Sequence, residues 1–433
     1  MKKTFNGGID FHETPLALKG LADYKNVRTI APKKVYLPVQ QHIGDAAEVV
    51  VSPGEHVLLG QKIADIGDNL GAHVHASVSG TVRAIEKRDQ GQGEALTCVV
   101  IENDFHDQLA EQTVPETFDR ETILAQVSAA GVVGLGGATF PSHVKLDPAE
   151  QVEWCIFNGA ECEPLLMADA ALMVNDGEKL LGGIQLVLAA VAAKRGVLAI
   201  ESDKQEALAV MRVFAQAEPR LTVVEVPSVY PQGASEMLIK AVTGKELPLG
   251  ASARDLGILM INVATTVAVY DALHLDRALS HRICSVVGDV KMPQNILFPL
   301  GTTAEELIAA CGGVEGQLSR VIVGGFMMGK SIDTLHASLT KAANGLIVIN
   351  KAHDQDRTPK PCIKCARCVA VCPMRLLPLW LEKAALKNDH TRLQKLRVAA
   401  CINCGCCTTV CPARRHLAEH IVAGQKEVKQ HAD

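Results

Sequence analysis

The spacing of apolar positions changes character three times along this 433-residue chain, and each change marks a boundary. Residues 30 to 102 alternate short β-rich apolar runs with turns: "KKVYLPVQ", "AEVVVSPGEHVLLGQKIADIG", "AHVHASVSGTVRAIEKR" and "ALTCVVIEN". Runs too short for helices and punctuated by Pro-Gly and Ser-Gly predict short antiparallel strands folded as a small sandwich. Near residue 119 the texture changes. "DRETILAQVSAAGV" predicts an amphipathic helix running into a glycine loop, and "VEWCIFNGAECEPLL" predicts a buried strand ending in an acidic turn. A helix over roughly 176–194, the strand "GVLAIES", a helix over 204–216, the strand "LTVVEVP" and an apolar helix starting near 256 follow. Helices alternating with buried strands imply an α/β sheet. Short strands return over 281–350 around a capped helix, "TTAEELIAACGG".

The pattern therefore describes a multidomain α/β chain. Its expected parts are an extension (1–29), an all-β sandwich (30–105), an α/β domain (119–275), an α+β module (280–350), a cysteine-rich unit (355–416) and a tail (417–433). Within the cysteine-rich unit, residues 378–400 read as helical.

Composition narrows what these parts do. The chain is 48% apolar, which excludes widespread disorder, and its net charge of -5 gives no global reason to expect nucleic acid. The most apolar segments, 184–193 and 256–270, are too short or too polar for a membrane helix. The start "MKKTFNGGIDFHETP" has no apolar h-region, so no secretory signal is expected. His73 and His75, two apart on a strand without acidic or cysteine partners, read as packed or solvent-facing. Cys155 and Cys162 read as small apolar fillers.

Nine of the 14 cysteines fall within 50 residues, in the runs "CIKCARCVAVCP" (362–373) and "CINCGCCTTVCP" (401–412). A disulfide framework suits adjacent Cys406 and Cys407 poorly, and a reducing compartment is expected. Both runs have the form C-x2-C-x2-C-x3-C-P, the spacing of paired [4Fe–4S] clusters, in which three close thiolates wrap one cube and the fourth reaches the other. The expected sets are Cys362, Cys365, Cys368 and Cys411 on one cluster, and Cys372, Cys401, Cys404 and Cys407 on the other. Cys406 is spare. Structural zinc is the competing reading, but zinc needs neither the third cysteine of each triplet nor the x3-C-P tail. Two such cubes form an electron wire. Between 356 and 416 there are 12 Lys and Arg against 3 Asp and Glu, an excess that reads either as solvated surface or as a docking face for an acidic electron-transfer partner.

A wire needs a source that takes electrons in pairs and releases them singly, and flavin fed by nicotinamide hydride does this. "GLGGATFPSHVKL" (134–146) is not the dinucleotide fingerprint G-x-G-x-x-G. A loop poor in side chains lets a flat ring or a phosphate reach the backbone, and a plain structural turn is the alternative. In "NGAECEP" (158–164), Glu161 and Glu163 are acceptors for ribose hydroxyls or an amide, or ordinary surface acids.

"FNGGID" (5–10), "LPVQQHIG" (37–44), "GLGGATFPSHVKL", "NGAECEP", "NVATTVAV" and the twin cysteine runs together resemble the C subunit of the Rnf complex, a membrane-bound NADH:ferredoxin oxidoreductase that moves sodium ions or protons. The resemblance covers residues 5 to about 416. The middle of the chain is also similar to the FMN-binding subunit of respiratory complex I. This resemblance implies an N-terminal barrel-sandwich module, a central Rossmann-like α/β flavin domain, a small β-grasp module and a C-terminal two-cluster ferredoxin-like domain. It implies FMN held by Gly134, Gly136 and Gly137, with Lys145 beside it and Asn158 hydrogen-bonded to the flavin. Glu161 and Glu163 would face NADH. Tyr230 and Gly233 correspond to a later tyrosine–glycine segment, and Asn262 and Thr265 to a turn near the FMN phosphate. Leu135 stands where the complex I pattern has arginine. "HASVSGTV" offers no lysine at a hairpin apex, so lipoylation is not expected. The implied partners are integral membrane subunits, an iron–sulfur subunit and ferredoxin, with the chain peripheral on the cytoplasmic face of the membrane. A soluble cobalamin reductase of the same modular plan and a non-enzymatic electron-transfer adaptor remain open on sequence.

Overall fold

The computed structural model describes residues 4–11, 23–93, 95–149, 151–354 and 358–431. Residues 34–103 form the expected sandwich. One sheet pairs Lys34–Pro38, Ala95–Asn103, Gly80–Asp89 and His56–Val57, and a smaller one pairs Glu48–Val49, Lys62–Asp65 and Val74–His75, all antiparallel. Alternate residues such as Val35, Leu37, Ile63, Val82 and Ile101 turn inward and are fully buried. His75 is packed inside, and the His73 ring accepts the Ile66 amide at 3.3 Å.

The α/β domain has four parallel strands in the order Leu221–Val226, Arg195–Glu201, Trp154–Gly159, Ile258–Asn262. The chain starts at Trp154–Gly159, steps outward twice, then crosses to the other side of its first strand. One expectation is corrected here. The apolar stretch near 256 begins as the strand Ile258–Asn262, and its helix starts only at Val263. The helix expected near 176–194 is present as Gly177–Ala190, and a further helix, Ala168–Asn175, precedes it across Asp176. A short apolar run does not distinguish strand from helix by period alone.

A six-stranded mixed sheet follows, ordered Asp23–Thr29, Gln294–Pro299, His281–Gly288, Gly345–Asn350, Leu318–Val323, Lys330–Ile332. Its edge strand comes from the segment expected to be a mere extension; residues 1–3 and 12–22 of that segment lie outside the described residues. Thr303 and Glu306 close a capping box at the helix Ala304–Ala310.

These three units share one continuous hydrophobic core, from Val35 through Ile123 and Leu198 to Val348. Buried Lys341 ties them polar group to polar group: its ammonium donates to the carbonyls of His73 and Gly131, each at 2.8 Å. The cysteine-rich unit instead has its own core, built on Leu376, Leu381, Leu393, Leu417 and Ile421. The expected tail is part of it. Leu417–Gln430 is a helix packed on Pro378–Ala385.

Gly301 marks a close approach between the sandwich and the mixed sheet. It has φ +88°, and a Cβ there would lie 2.9 Å from the Tyr36 backbone. Gly301→Ala is expected to lower the stability of the fused body by about 1–3 kcal/mol, read from urea unfolding curves.

Candidate functional site

In an open parallel sheet, ligands bind beyond the carboxyl ends of the strands where the order reverses. Here the reversal lies between Trp154–Gly159 and Ile258–Asn262, and Asn158 and Asn262 are register partners at its rim. Asn262 caps the helix Val263–His274, accepting the Ala264 and Thr265 amides, and donates to the Asp169 carboxylate at 2.7 Å. Asn158 donates to the Gly233 carbonyl at 3.0 Å. The glycine loop packs over this helix start because the Leu135 amide donates to the Thr265 hydroxyl at 2.8 Å. Gly136 passes so close that an added Cβ would sit 3.3 Å from Asn262 Cβ, whereas Gly137, at φ +108°, faces open space. Bare backbone opposite a helix N-terminus is a cradle for a phosphate or a flat ring.

All eleven residues expected at the cofactor line one cavity of about 1770 Å³: Gly134, Gly136, Gly137, Lys145, Asn158, Glu161, Glu163, Tyr230, Gly233, Asn262 and Thr265. Its size and donor set fit FMN. The structure gives several of these residues a second occupation. The Glu161 carboxylate accepts the Asp169 and Ala170 amides at 2.8 and 3.0 Å, and the Glu163 carboxylate accepts those of Met327 and Met328 at 2.8 and 3.0 Å. The acids expected to await nicotinamide are thus also tied to protein backbone. The second tie needs Gly325, where a Cβ would fall 2.1 Å from Glu163 Cδ. The Tyr230 hydroxyl donates to the Cys404 carbonyl at 2.7 Å. Burial, with Arg254 next to it, lowers the Lys145 ammonium below its usual value despite the opposing Cys155 thiol.

Sequence reasoning missed Asp169, Gly325 and Arg282. Arg282 is buried on the strand His281–Gly288 and donates to the Leu135 carbonyl at 3.0 Å and to the Lys341 carbonyl. A guanidinium therefore reaches the glycine loop from another domain, where position 135 carries none. Burial lowers Arg282 to about 10, so it stays charged at neutral pH opposite Asp169.

The two cysteine runs are structural copies 39 residues apart. Left-handed backbone occurs at Lys364, Ala366 and Arg375, and again at Asn403, Gly405 and Arg414. Short helices begin at Arg367 and Cys406, and longer ones at Pro378 and Leu417. The thiols meet across the copies. Cys372 lies within electrostatic reach of Cys401, Cys404 and Cys407, whereas Cys368 is near Cys362 and Cys411. Backbone amides already point at sulfur, Leu376 to Cys372 at 3.3 Å and Lys364 to Cys362 at 3.4 Å. Two crossed thiol sets with amide donors fit two iron–sulfur cubes. Cys365 is exposed beside Cys362. Cys406 is fully buried among Ile9, Tyr230, Val371 and Met327, and a hydrogen bond between its thiol and that of Cys404 lowers Cys404 and raises Cys406. The cavity reaches Cys401 and Cys404 and none of Cys362, Cys365, Cys368 or Cys411, so one thiol set is near and the other far.

Burial raises Glu163 to about 7; burial and the Asp169 carboxylate raise Glu161 to about 8, both from 4.5. The folded chain then binds protons the unfolded chain has lost. That contribution to stability is complete below pH 4.5 and is lost as pH rises through about 7 and then about 8. Anaerobic urea unfolding is expected to show stability falling across this window, and the E161Q/E163Q double variant is expected to flatten the decline.

Comparison with known proteins agrees with this layout. The chain matches the RnfC barrel sandwich hybrid domain over residues 3–106, the Nuo51 FMN-binding domain over 127–271, the SLBB domain over 283–331 and the 4Fe-4S dicluster domain over 361–414. It is similar in fold to a chain of the NAD+-reducing [NiFe]-hydrogenase in its air-oxidized state, with a TM-score of 0.53 and 21% identity; the match covers 73% of this chain and 64% of the other, just under two thirds of that chain's length. It is 36% identical to the C subunit of the Na(+)-translocating ferredoxin:NAD(+) oxidoreductase complex of Acetobacterium woodii, over 89% of this chain and 88% of the relative. It is 35% identical to the proton-translocating counterpart of Clostridium ljungdahlii, over 90% and 86%. With the C subunit of the ion-translocating oxidoreductase complex of Rhodobacter capsulatus it shares 36% identity, over 89% and 76%. A barrel sandwich, an FMN-binding domain, an SLBB domain and a dicluster domain, together with identity sustained over nearly the whole length of these relatives, show that the chain belongs to the family of C subunits of ion-translocating oxidoreductase complexes, the Rnf family.

Proposed function

We propose that this chain is the electron-input subunit of a membrane-bound complex that moves electrons between NADH and ferredoxin, a process other subunits couple to translocation of sodium ions or protons. One observation carries the reading: a single cavity is lined both by bare glycine backbone and by Cys401 and Cys404. Bound FMN would supply the exchange between the electron pair of one hydride and single electrons, and two [4Fe–4S] clusters would conduct them. Gly134, Gly136 and Gly137 admit the ring system, and the helix start capped by Asn262, with Thr265 and Lys145, receives the phosphate. Asn158 and Gly233 face the flavin, while Tyr230 joins that wall to the cluster loop. Glu161 and Glu163 shape the approach of the nicotinamide, which needs positioning more than acid–base help because hydride brings its own electrons.

Cys372, Cys401, Cys404 and Cys407 hold the nearer cluster, and Cys362, Cys365, Cys368 and Cys411 the outer one. Cys362 and Cys365 are exposed, next to Ile363, which is 66% exposed, and to Lys360 and Lys364. An apolar spot ringed by positive charge suits an acidic iron–sulfur subunit. Among the described residues no helix is long and apolar enough to cross a membrane. On the family reading, integral membrane subunits hold the chain peripherally on the cytoplasmic face.

Anaerobically purified protein is expected to carry one FMN and about eight irons per chain, and NADH is expected to bleach the flavin. Protein that takes up iron but neither FMN nor electrons from NADH would be an adaptor instead. Glu163→Gln replaces one of two carboxylate oxygens, each of which accepts one backbone amide, and is expected to raise the half-saturating NADH by about five- to tenfold with iron content unchanged. Superimposable NADH titrations would take Glu163 out of the site. Cys406→Ser is expected to keep about eight irons and both reduced-cluster EPR signals, whereas Cys407→Ser is expected to retain about four irons. The reverse outcome would mean the ligand register is wrong.

A further inference from the structure

The motif "FNGGID" at 5–10 takes no part in either cysteine set, and its glycines do not line the large cavity. It lies instead in the seam between the flavin domain and the cluster unit. Ile9 and Tyr230 exchange backbone hydrogen bonds, at 2.8 and 3.0 Å, and the Gly8 amide donates to the Val371 carbonyl at 2.9 Å. Thr4 adds a hydrogen bond to Gln232 at 3.0 Å. Phe5 packs with Val229, Met237 and Met374, and Ile9 with Tyr230, Val371 and Cys406. One short segment thus binds both sides of the seam.

The two glycines are where the seam is tightest. Gly7 has φ +78°, and a Cβ there would lie 2.6 Å from the Val371 carbonyl oxygen and 3.0 Å from the Cys372 carbonyl carbon. Gly8 has φ +72°, and its Cβ would lie 2.6 Å from the Tyr230 carbonyl oxygen. A backbone without side chains is required twice in succession, once against each partner. The contacted groups matter: Val371 precedes Cys372, and Tyr230 holds the Cys404 carbonyl. Both cysteines belong to the nearer thiol set.

We propose that residues 5–10 are a positioning strap that fixes the nearer cluster relative to the flavin site. Phe5 and Asn6 also line the large cavity, but Gly7 and Gly8 do not and abut Val371, Cys372 and the Tyr230 carbonyl, so substitution of the glycines falls on the transfer between the two sites. This inference rests on the FMN and two-cluster reading given above. Oxidation of one NADH yields NAD+, a proton and two electrons, one for each cluster, so the steps before and after the seam are separately visible.

The test compares full-length holoprotein carrying Gly7→Ala, Gly8→Ala, Ile9→Ala or Gly54→Ala with the parent. Gly54 is a control for backbone strain: it has φ +91° with nothing within 4 Å of an added Cβ and lies in the sandwich, away from the seam. After rapid mixing with NADH, flavin bleaching in the Gly7 and Gly8 variants is expected at the parent rate, while cluster reduction slows by about ten- to a hundredfold. Ile9→Ala keeps the backbone path and is expected to show a smaller slowing in the same step, which serves if a glycine variant does not fold. Gly54→Ala is expected to match the parent in both steps. Independently of turnover, amide hydrogen exchange in 369–376 and 402–410 is expected to quicken in the strap variants, with 154–159 still protected. Cluster reduction at the parent rate in the strap variants, or equal slowing in Gly54→Ala, would overturn the strap. A parent whose flavin NADH does not bleach would overturn the underlying reading instead.

Discussion

The hydrogen bond from the Tyr230 hydroxyl to the Cys404 carbonyl joins the two chemistries of this molecule. Tyr230 is 3% exposed, so no water replaces the partner if the bond is lost, and a buried group left unpaired costs about 1–3 kcal/mol. The same residue pairs its backbone with Ile9 and walls the cavity. Around it, each neighbouring contact limits how far the cluster loop can shift: Gly405 stands against the Met327 carbonyl, and Met327 hangs from Glu163. The place of the nearer thiols at the cavity is therefore held by short polar contacts together with the apolar clusters around Phe5 and Ile9.

Polar burial follows a consistent logic beside the cavity. The half-buried Glu161, whose carboxyl is raised to about 8 and so keeps its proton at neutral pH, the buried Asp169 and the charged Arg282 each find donors or an opposite charge inside the protein. A lone buried ion would be costly; a connected set is tolerable and admits few alternative arrangements. The set also crosses a domain boundary, since Arg282 comes from the mixed sheet and holds the loop of the α/β domain. That gives a physical reason for the SLBB unit to sit where it does.

Much of the site is legible in sequence because its signals are local. The two cysteine runs state their own register through spacing, and the eleven residues drawn from the family resemblance converge on one cavity. What stays hidden is non-local. Asp23–Thr29 finds its partner strand some 270 residues later, at Gln294–Pro299, and nothing in its own seven residues announces that. Arg282 looks like one more charge on a strand until the loop it serves is folded against it. Glu161 and Glu163 are recognisable as site acids, but their backbone partners are helix and loop amides that no spacing rule reveals. The helix Ala168–Asn175 and the late start of the helix at Val263 escape a sequence reading because a short apolar run does not separate strand, turn and helix by period alone.

The division of the hydrophobic core has a consequence for survival. Three units are fused through one core, whereas the cluster unit rests on a small core of its own that touches Cys368, Cys372, Cys401, Cys407 and Cys411. Cooperative unfolding follows shared packing. On this packing, loss of a cube is expected to loosen the cluster unit, and with it the cavity wall that Cys401 and Cys404 supply, before the shared core of the other three units gives way.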